Sequence, residues 1–402
     1  MMTSQTRRRL ALGVAASTLA FMTSFALAQG QGPIKLGVVN IDSGPFALNG
    51  AYINDGATFA VESLNAQGGA LGRKYELVIQ NHAGTPATAM AAAAKLVEQG
   101  GVSFFTGLNA SSTALAITAK VAGMNALFLD ATATSDDLTG KNCNKNYFRI
   151  DTSDSMVMNG LRAQLQASGI KSWDLLMADY AVGHDYAKKF AALVQDNGGT
   201  IEKTIFASMS ATDLGSYISQ LNAKPAEGLA MLYPSSAGNA FAKQQRAFGL
   251  FAKYKTVLSA STVNEVLLSG QGDSTVGVYG TQSYFWSMPG EQNAAFVKAF
   301  EGRFKRKPTY LDVDAYLAFE LLHNAILKAK STDVDAVRSA LAGLKARTVV
   351  GDVEMRAADH QLLRPLLFMQ AVKAGEGKAE MALRGVEPLA KVTAPVSPEC
   401  KL

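Results

Sequence analysis

From residue 33 onward, short apolar runs alternate with Ala-rich stretches of helical spacing. IKLGVVN at 34–40, KYELVIQ at 74–80, VSFFTG at 102–107 and ALFL at 126–129 are compact runs rich in Val, Ile, Leu and Phe, which predicts strands. The segments 50–67, 86–99 and 114–122 between them predict helices, the first two stopped by Gly68-Gly69 and Gly100-Gly101. After residue 150 the cycle restarts, with helices over 155–168, 182–196 and 210–222 and strands over 173–178, 200–206 and 228–233. Such alternation makes a mostly parallel sheet with helices on both faces, and two runs of it predict an α/β chain of two doubly wound lobes.

Ligands in such sheets sit beyond the carboxyl ends of the strands. In the first lobe every loop of that type is polar: SGPFALNG at 43–50, NHAG at 81–84, LNASS at 108–112 and ATATS at 131–135. The third places Asn109, Ser111, Ser112 and Thr113 between a strand end and a helix start, where backbone N–H groups and the positive end of the helix dipole suit an anion. Ser and Thr are also ordinary N-caps, and that fragment by itself admits either role.

The N-terminus sets the compartment. Residues 1–10 carry Arg7, Arg8 and Arg9, residues 11–25 are apolar and uncharged, and Ala26-Leu27-Ala28 is a small-x-small cleavage site. This is a signal peptide, predicted to be cut after Ala28. The arginine run fits a plain charged n-region and also, faintly, a twin-arginine signal. No later apolar run is long enough to span a membrane. Loss of the three arginines, with no acid among residues 1–28, lowers the formal charge from +5 to +2, so nucleic acid is not implied. The two cysteines, Cys143 and Cys400, point in an oxidising compartment to one disulfide tying the tail to the KNCNKN loop at 141–146; the alternative is two separately buried thiols.

Enzyme motifs are missing. His82, His184, His323 and His360 are scattered without metal-ligand spacing, and there is no Walker loop, dinucleotide fingerprint or G-x-S-x-G elbow. SGIK at 168–171 matches S-x-x-K without the S-D-N and K-T-G that would accompany it, so a secreted hydrolase is the weaker class.

In order along the chain, the signal segment, IKLGVVN, SGPFALNG, NAQGGALGR at 65–73, GLNASS at 107–112, Asp137-Leu138-Thr139, Phe148-Arg149 and RAADHQ at 356–361 resemble the branched-chain amino-acid family of periplasmic solute-binding proteins. The resemblance spans nearly all of the exported chain. It implies the type I fold: lobe one from 29–149 and 281–350, lobe two from 150–280 and 351–402, with crossovers near Phe148-Arg149, Tyr279-Gly280 and Val350-Gly351. It also implies a monomer without catalysis or cofactor, a small carboxylate trapped between the lobes, and delivery of the loaded form to an inner-membrane ABC permease. A sensory role feeding a receptor is a near variant. A sugar-repressor core shares the fold but carries a helix-turn-helix where this chain has its export signal.

The family pattern assigns the ligand carboxylate to Ala110-Ser111 and to Thr132 and Thr134, and part of the lobe-two wall to Tyr180 and Val182. The departures lie elsewhere. Where an acid would receive an amino-acid ammonium this chain has Ser261, and where family members place aromatics it has Asn49 and Ser235. Phe46, Tyr180 and Trp286 remain as apolar walls. The pattern therefore predicts a carboxylate without an α-ammonium, an aromatic or keto acid, unless Glu265 or Asp185 takes the ammonium and the protein is a branched-chain amino-acid receptor proper.

Overall fold

A computed structural model describes residues 32–43, 46–107 and 110–402; the signal peptide, Gly44, Pro45, Leu108 and Asn109 lie outside them. Strands β1 (Ile34–Ile41), β2 (Tyr75–His82), β3 (Phe104–Gly107), β4 (Leu127–Asp130) and β5 (Tyr147–Arg149) form one parallel sheet in the order β2-β1-β3-β4-β5. Helices α1 (Ala47–Ala66), α2 (Pro86–Glu98) and α3 (Ser111–Val121) connect the first four. Local chemistry sets some of their starts: α2 opens with Pro86 after the Thr85 N-cap, whose hydroxyl exchanges hydrogen bonds with Thr88.

A second sheet has the order β15-β14-β10-β9-β8-β6-β7. It contains β6 (Ser172–Ala178), β7 (Thr200–Ala207), β8 (Gly228–Leu232), β9 (Thr256–Ser259) and β10 (Tyr279–Gln282), all parallel, with β14 (Leu366–Gly375) and β15 (Lys378–Glu387) antiparallel at one edge. Helices α4 (Asp154–Ser168), α5 (Ala181–Asp196), α6 (Gly215–Ala223), α7 (Ser235–Ala247) and α8 (Glu265–Gln271) belong to this half. The chain then returns to the first half: α9 (Glu291–Phe304) and α10 (Tyr310–Ala329) pack Phe296, Phe300, Phe304 and Tyr316 around Phe59 of α1, with ring centroids 5.3–6.2 Å apart. Burial of an aromatic like Phe59 is worth about 3–5 kcal/mol against truncation to Ala. Helix α11 (Val334–Leu341), a small sheet of β11 (Lys345–Thr348), β12 (Gly351–Met355) and β13 (Leu362–Leu363), and α12 (Leu389–Val392) complete the chain. This is the type I architecture, two α/β lobes joined by three crossovers.

The chain leaves the second sheet after Gln282, because Tyr279-Gly280 is needed as β10 between β9 and β14. It re-enters that sheet at Leu366, since Val350-Gly351 is consumed by the β11–β12 hairpin. Two buried arginines bind these crossings together. Arg149 donates to Gln361 Oε1 at 2.6 Å, to the Ser135 carbonyl at 2.6 Å and to Thr139. Arg364 pairs with Asp314 and donates to the Ile150 and Ser283 carbonyls at 3.4 and 2.8 Å, touching all three crossovers. Cys143 and Cys400 are bonded, which fixes the tail to the loop before β5.

Candidate ligand-binding site

In each sheet the chain reverses direction of growth once, between β1 and β3 in the first and between β6 and β8 in the second. These are the switch points where crevices open beyond the strand ends. The helices that follow those four strands are α1, α3, α5 and α7, and none has a side-chain hydrogen bond at its N-cap. By contrast α2, α4, α8, α10 and α11 are capped by Thr85, Ser153, Asn264, Thr309 and Asp333, while α6, α9 and α12 also start without a side-chain cap. Ordinary capping is therefore not what the polar residues at the start of α3 do. Thr113 Oγ1 turns back to donate to the Ala110 carbonyl at 2.7 Å, and Ser111 Oγ accepts the Ser135 N–H at 3.3 Å. Glycines let two of these starts press onto their strands: a Cβ on Gly50 would lie 1.8 Å from the Ile41 carbonyl oxygen, and one on Gly183 1.9 Å from that of Ala178.

The candidate residues lie in the loops and helix starts after β1, β3, β4, β6, β8 and β9, with Trp286 apart. Phe46 is the N-cap of α1 and Asn49 lies in its first turn, both half-buried. Ala110 is the exposed N-cap of α3 and Ser111 its first residue. Thr132 and Thr134 are half-buried in the loop after β4, joined to Ser111 through the Ser135 amide. Tyr180, the N-cap of α5, is 40% exposed, and Val182 is half-buried against the core. Ser235 is the first residue of α7, and Ser261 follows β9, half-buried, its carbonyl accepting from Asn264. Trp286 stands apart from this set, in the second crossover beside Phe285 and under the Lys307 ammonium, 5.1 Å from its ring.

The two acids held in reserve as ammonium partners are engaged otherwise. Asp185 pairs with Lys189 at 2.5 Å. Glu265 accepts the Tyr310 N–H at 3.1 Å and the Gln282 side chain, and desolvation raises its carboxyl to about 7.

Two acids of the site escaped sequence reasoning. Asp130, fully buried at the end of β4, accepts the Thr132 and Ala133 amides at 3.0 and 3.2 Å and the Tyr147 hydroxyl at 3.1 Å; burial raises it to about 7. It shapes the loop and uses the Thr132 N–H. Asp154, 1% exposed at the start of α4, donates its amide to the Thr134 carbonyl at 2.8 Å, and burial raises its carboxyl to about 6. Neither lies on a periodic pattern that marks it. Among the described residues no His, Cys, Asp and Glu cluster suits a metal and no helix is long and apolar enough to cross a membrane.

A family model described as periplasmic binding protein matches residues 33–376. The chain belongs to the type I periplasmic binding proteins of the branched-chain amino-acid ABC transporter family. It is similar to the Leu/Ile/Val-binding protein homolog 4 of Brucella abortus, with 22% identity over 92% of each chain. Among solved structures it resembles a solute-binding protein of an R. palustris ABC transporter in complex with benzoate, at TM-score 0.81 and 21% identity over 92% of this chain and 100% of that one. It also resembles the closed leucine-, isoleucine-, valine-, threonine- and alanine-binding protein of Brucella ovis, at TM-score 0.82 and 19% identity over 92% and 99%. These likenesses fix the fold. The family comprises solute-binding proteins rather than enzymes, periplasmic partners of ABC permeases.

Proposed function

We propose that this periplasmic binding protein is exported with cleavage after Ala28 and acts as a monomeric receptor that traps a small carboxylate lacking an α-ammonium, an aromatic or keto acid, for an ABC importer. The observation that carries the anion is the set of four helix starts, at both switch points, without side-chain caps. Donors from Ser111, Thr132 and Thr134 to a charged group are worth about 1.5–3 kcal/mol each. Three of them match the about 8 kcal/mol of micromolar binding before ordering costs are subtracted. Ser261 offers an ammonium no countercharge, and Glu265 and Asp185 already hold other partners. The benzoate-bound relative accommodates such a ligand on the same fold.

Binding is a hinge-bending trap. The acid docks on lobe one, lobe two closes over the remainder, and ligand energy shifts an open/closed equilibrium. A second reading, a branched-chain amino-acid receptor, has in its favour the buried carboxyl of Asp154 behind Thr134. A thermal-shift panel of aromatic acids, keto acids and amino acids, followed by calorimetry, separates them, because ligand binding raises the apparent melting point. Benzoate-type or keto acids binding with leucine, isoleucine and valine silent is the expected result. Tight binding of those three amino acids with silence from the simple acids refutes it.

A further inference from the structure

The last strand of the second sheet, β15, ends at Glu387, and the chain runs on from there to the other lobe. Pro388 and α12 carry it onto α4, where Val392 and Ala394 are buried in a small apolar cluster with Met156 of α4 and Leu366 at the start of β14. Asn159 of α4 donates to the Val392 carbonyl at 3.3 Å. As far as Ala394, therefore, the tail is packed on lobe two.

Beyond Ala394 it belongs to lobe one. Arg356, just after β12 and clamped to buried Asp359 at 2.8 and 2.6 Å, donates to the Ala394 carbonyl at 2.7 Å. Ser397 packs over Gly140, where an added Cβ would lie 3.5 Å from the Ser397 hydroxyl oxygen. Cys400 is bonded to Cys143, and the Lys401 N–H points at the Cys143 sulfur, 3.1 Å away. The loop that receives the tail is itself fixed to lobe one. Asn144 donates to the Thr118 carbonyl of α3 at 2.9 Å, and Asn146 donates to the Ala126 carbonyl at 2.9 Å while accepting from Arg338 of α11 at 3.1 Å.

A segment held by one lobe at Ala394 and by the other at Cys400 reaches at most about 20 Å when fully extended. Short connections restrain separation more than long ones, and a covalent restraint removes more freedom from a loose arrangement of the lobes than from a tight one. We infer that, given the hinge motion of the functional reading, the disulfide-closed tail is a strap between the lobes, a fourth connection beside the three crossovers that limits how far the cleft opens. The bond by itself does not make the strap, which needs the lobe-two anchor at Val392 and Ala394 as well. A disulfide that only steadied the loop before β5 would act within lobe one and leave the lobes free to move.

Single-molecule fluorescence energy transfer in ligand-free protein measures the opening. The dyes sit on unnatural residues at exposed Ala87, after β2, and exposed Thr212, after β7, both on the strand-end side of their lobes. Oxidised wild type should give a narrow distribution of separations. Dithiothreitol breaks the half-buried bond to two thiols as it closes to its own disulfide; it should broaden the distribution toward longer separations, and reoxidation should restore it. Cys143→Ser with Cys400→Ser should match the reduced protein, and reduction decides where that variant does not fold. Val392→Ser with Ala394→Ser should broaden the distribution with the bond intact, because the released tail from Glu387 to Cys400 reaches about 45 Å. Separations unchanged by reduction in a wild type that opens and closes overturn the strap and leave the hinge standing. One rigid separation in every sample overturns the hinge reading and the strap together. Broadening on reduction with none in the Val392→Ser, Ala394→Ser variant puts the restraint within lobe one and also overturns the strap.

Discussion

Replacing Arg364 with Met removes the one side chain that touches all three crossovers while keeping most of its apolar stem. Arg364 and Asp314 are each 0% exposed at the side chain, so Asp314 would be left as a buried carboxylate without its cation. Breaking such a pair costs about 3–5 kcal/mol. The Ile150 and Ser283 carbonyls lose a donor as well, at about 1–3 kcal/mol each where no water replaces it. The loss is capped by protonation. Burial already raises the Asp314 carboxyl and Arg364 pulls it back, so without Arg364 the acid takes up a proton instead of remaining charged. A net loss of about 4 kcal/mol follows, which lowers the melting temperature by about 5–10 °C for a chain of this size. Chemical denaturation and scanning calorimetry on Arg364→Met, Asp314→Asn and the double variant measure it. The double variant should be more stable than Arg364→Met, since neutralising the stranded acid relieves the larger part of the penalty. If Arg364→Met stays within 1 kcal/mol of wild type, or the double variant is no better than the single, the crossovers are not held by this pair and the reasoning fails.

Ser111→Ala should weaken carboxylate binding by about 1–3 kcal/mol in calorimetry with an unchanged melting temperature, and wild-type affinity would remove the start of α3 from the site. Glu265→Gln should leave ligand affinity as it is, because its carboxylate serves the Tyr310 amide; a large loss confined to amino acids would reinstate it as their ammonium partner. His360, stacked on Phe148 with ring centroids 4.0 Å apart, is lowered by desolvation to about 4, so the stability of its neutral form is full above the unfolded value of about 6.5 and disappears as pH falls through 4. The stability advantage of wild type over His360→Asn should shrink across that window in denaturation at stepped pH; a constant gap contradicts the assignment. Mass spectrometry of a non-reduced digest should find the Cys143–Cys400 peptide, and replacing both with Ser should cost about 2–5 kcal/mol.

Periodicity made the two sheets legible because it reports which face of an element is buried, and that is what strand and helix formation depend on. It failed where polar residues lie inside an element or apolar ones outside it. Ser111, Ser112 and Thr113 read as loop but form the first turn of α3, and the apolar-containing 210–214 reads as helix but precedes α6, with buried Leu214 as N-cap. Sheet membership is also invisible locally: nothing in the YGTQ of β10 says that it continues the second sheet, a choice made by β14 about 90 residues later. The strand-end position of the candidate residues was legible from the alternation of elements together with the family resemblance, since polar loops after parallel strands converge wherever the order reverses. Asp130, Asp154 and Arg364 were not, because a buried charge is defined by its partners in the fold, and Asp314, the partner of Arg364, lies 50 residues away. Charged groups in a core are costly and persist only when closely partnered. Here Arg149, Arg364 and Asp314 gather at the crossovers, and Asp130 closes the strand end of β4. The residues that break the apolar pattern therefore carry more information about function than those that follow it.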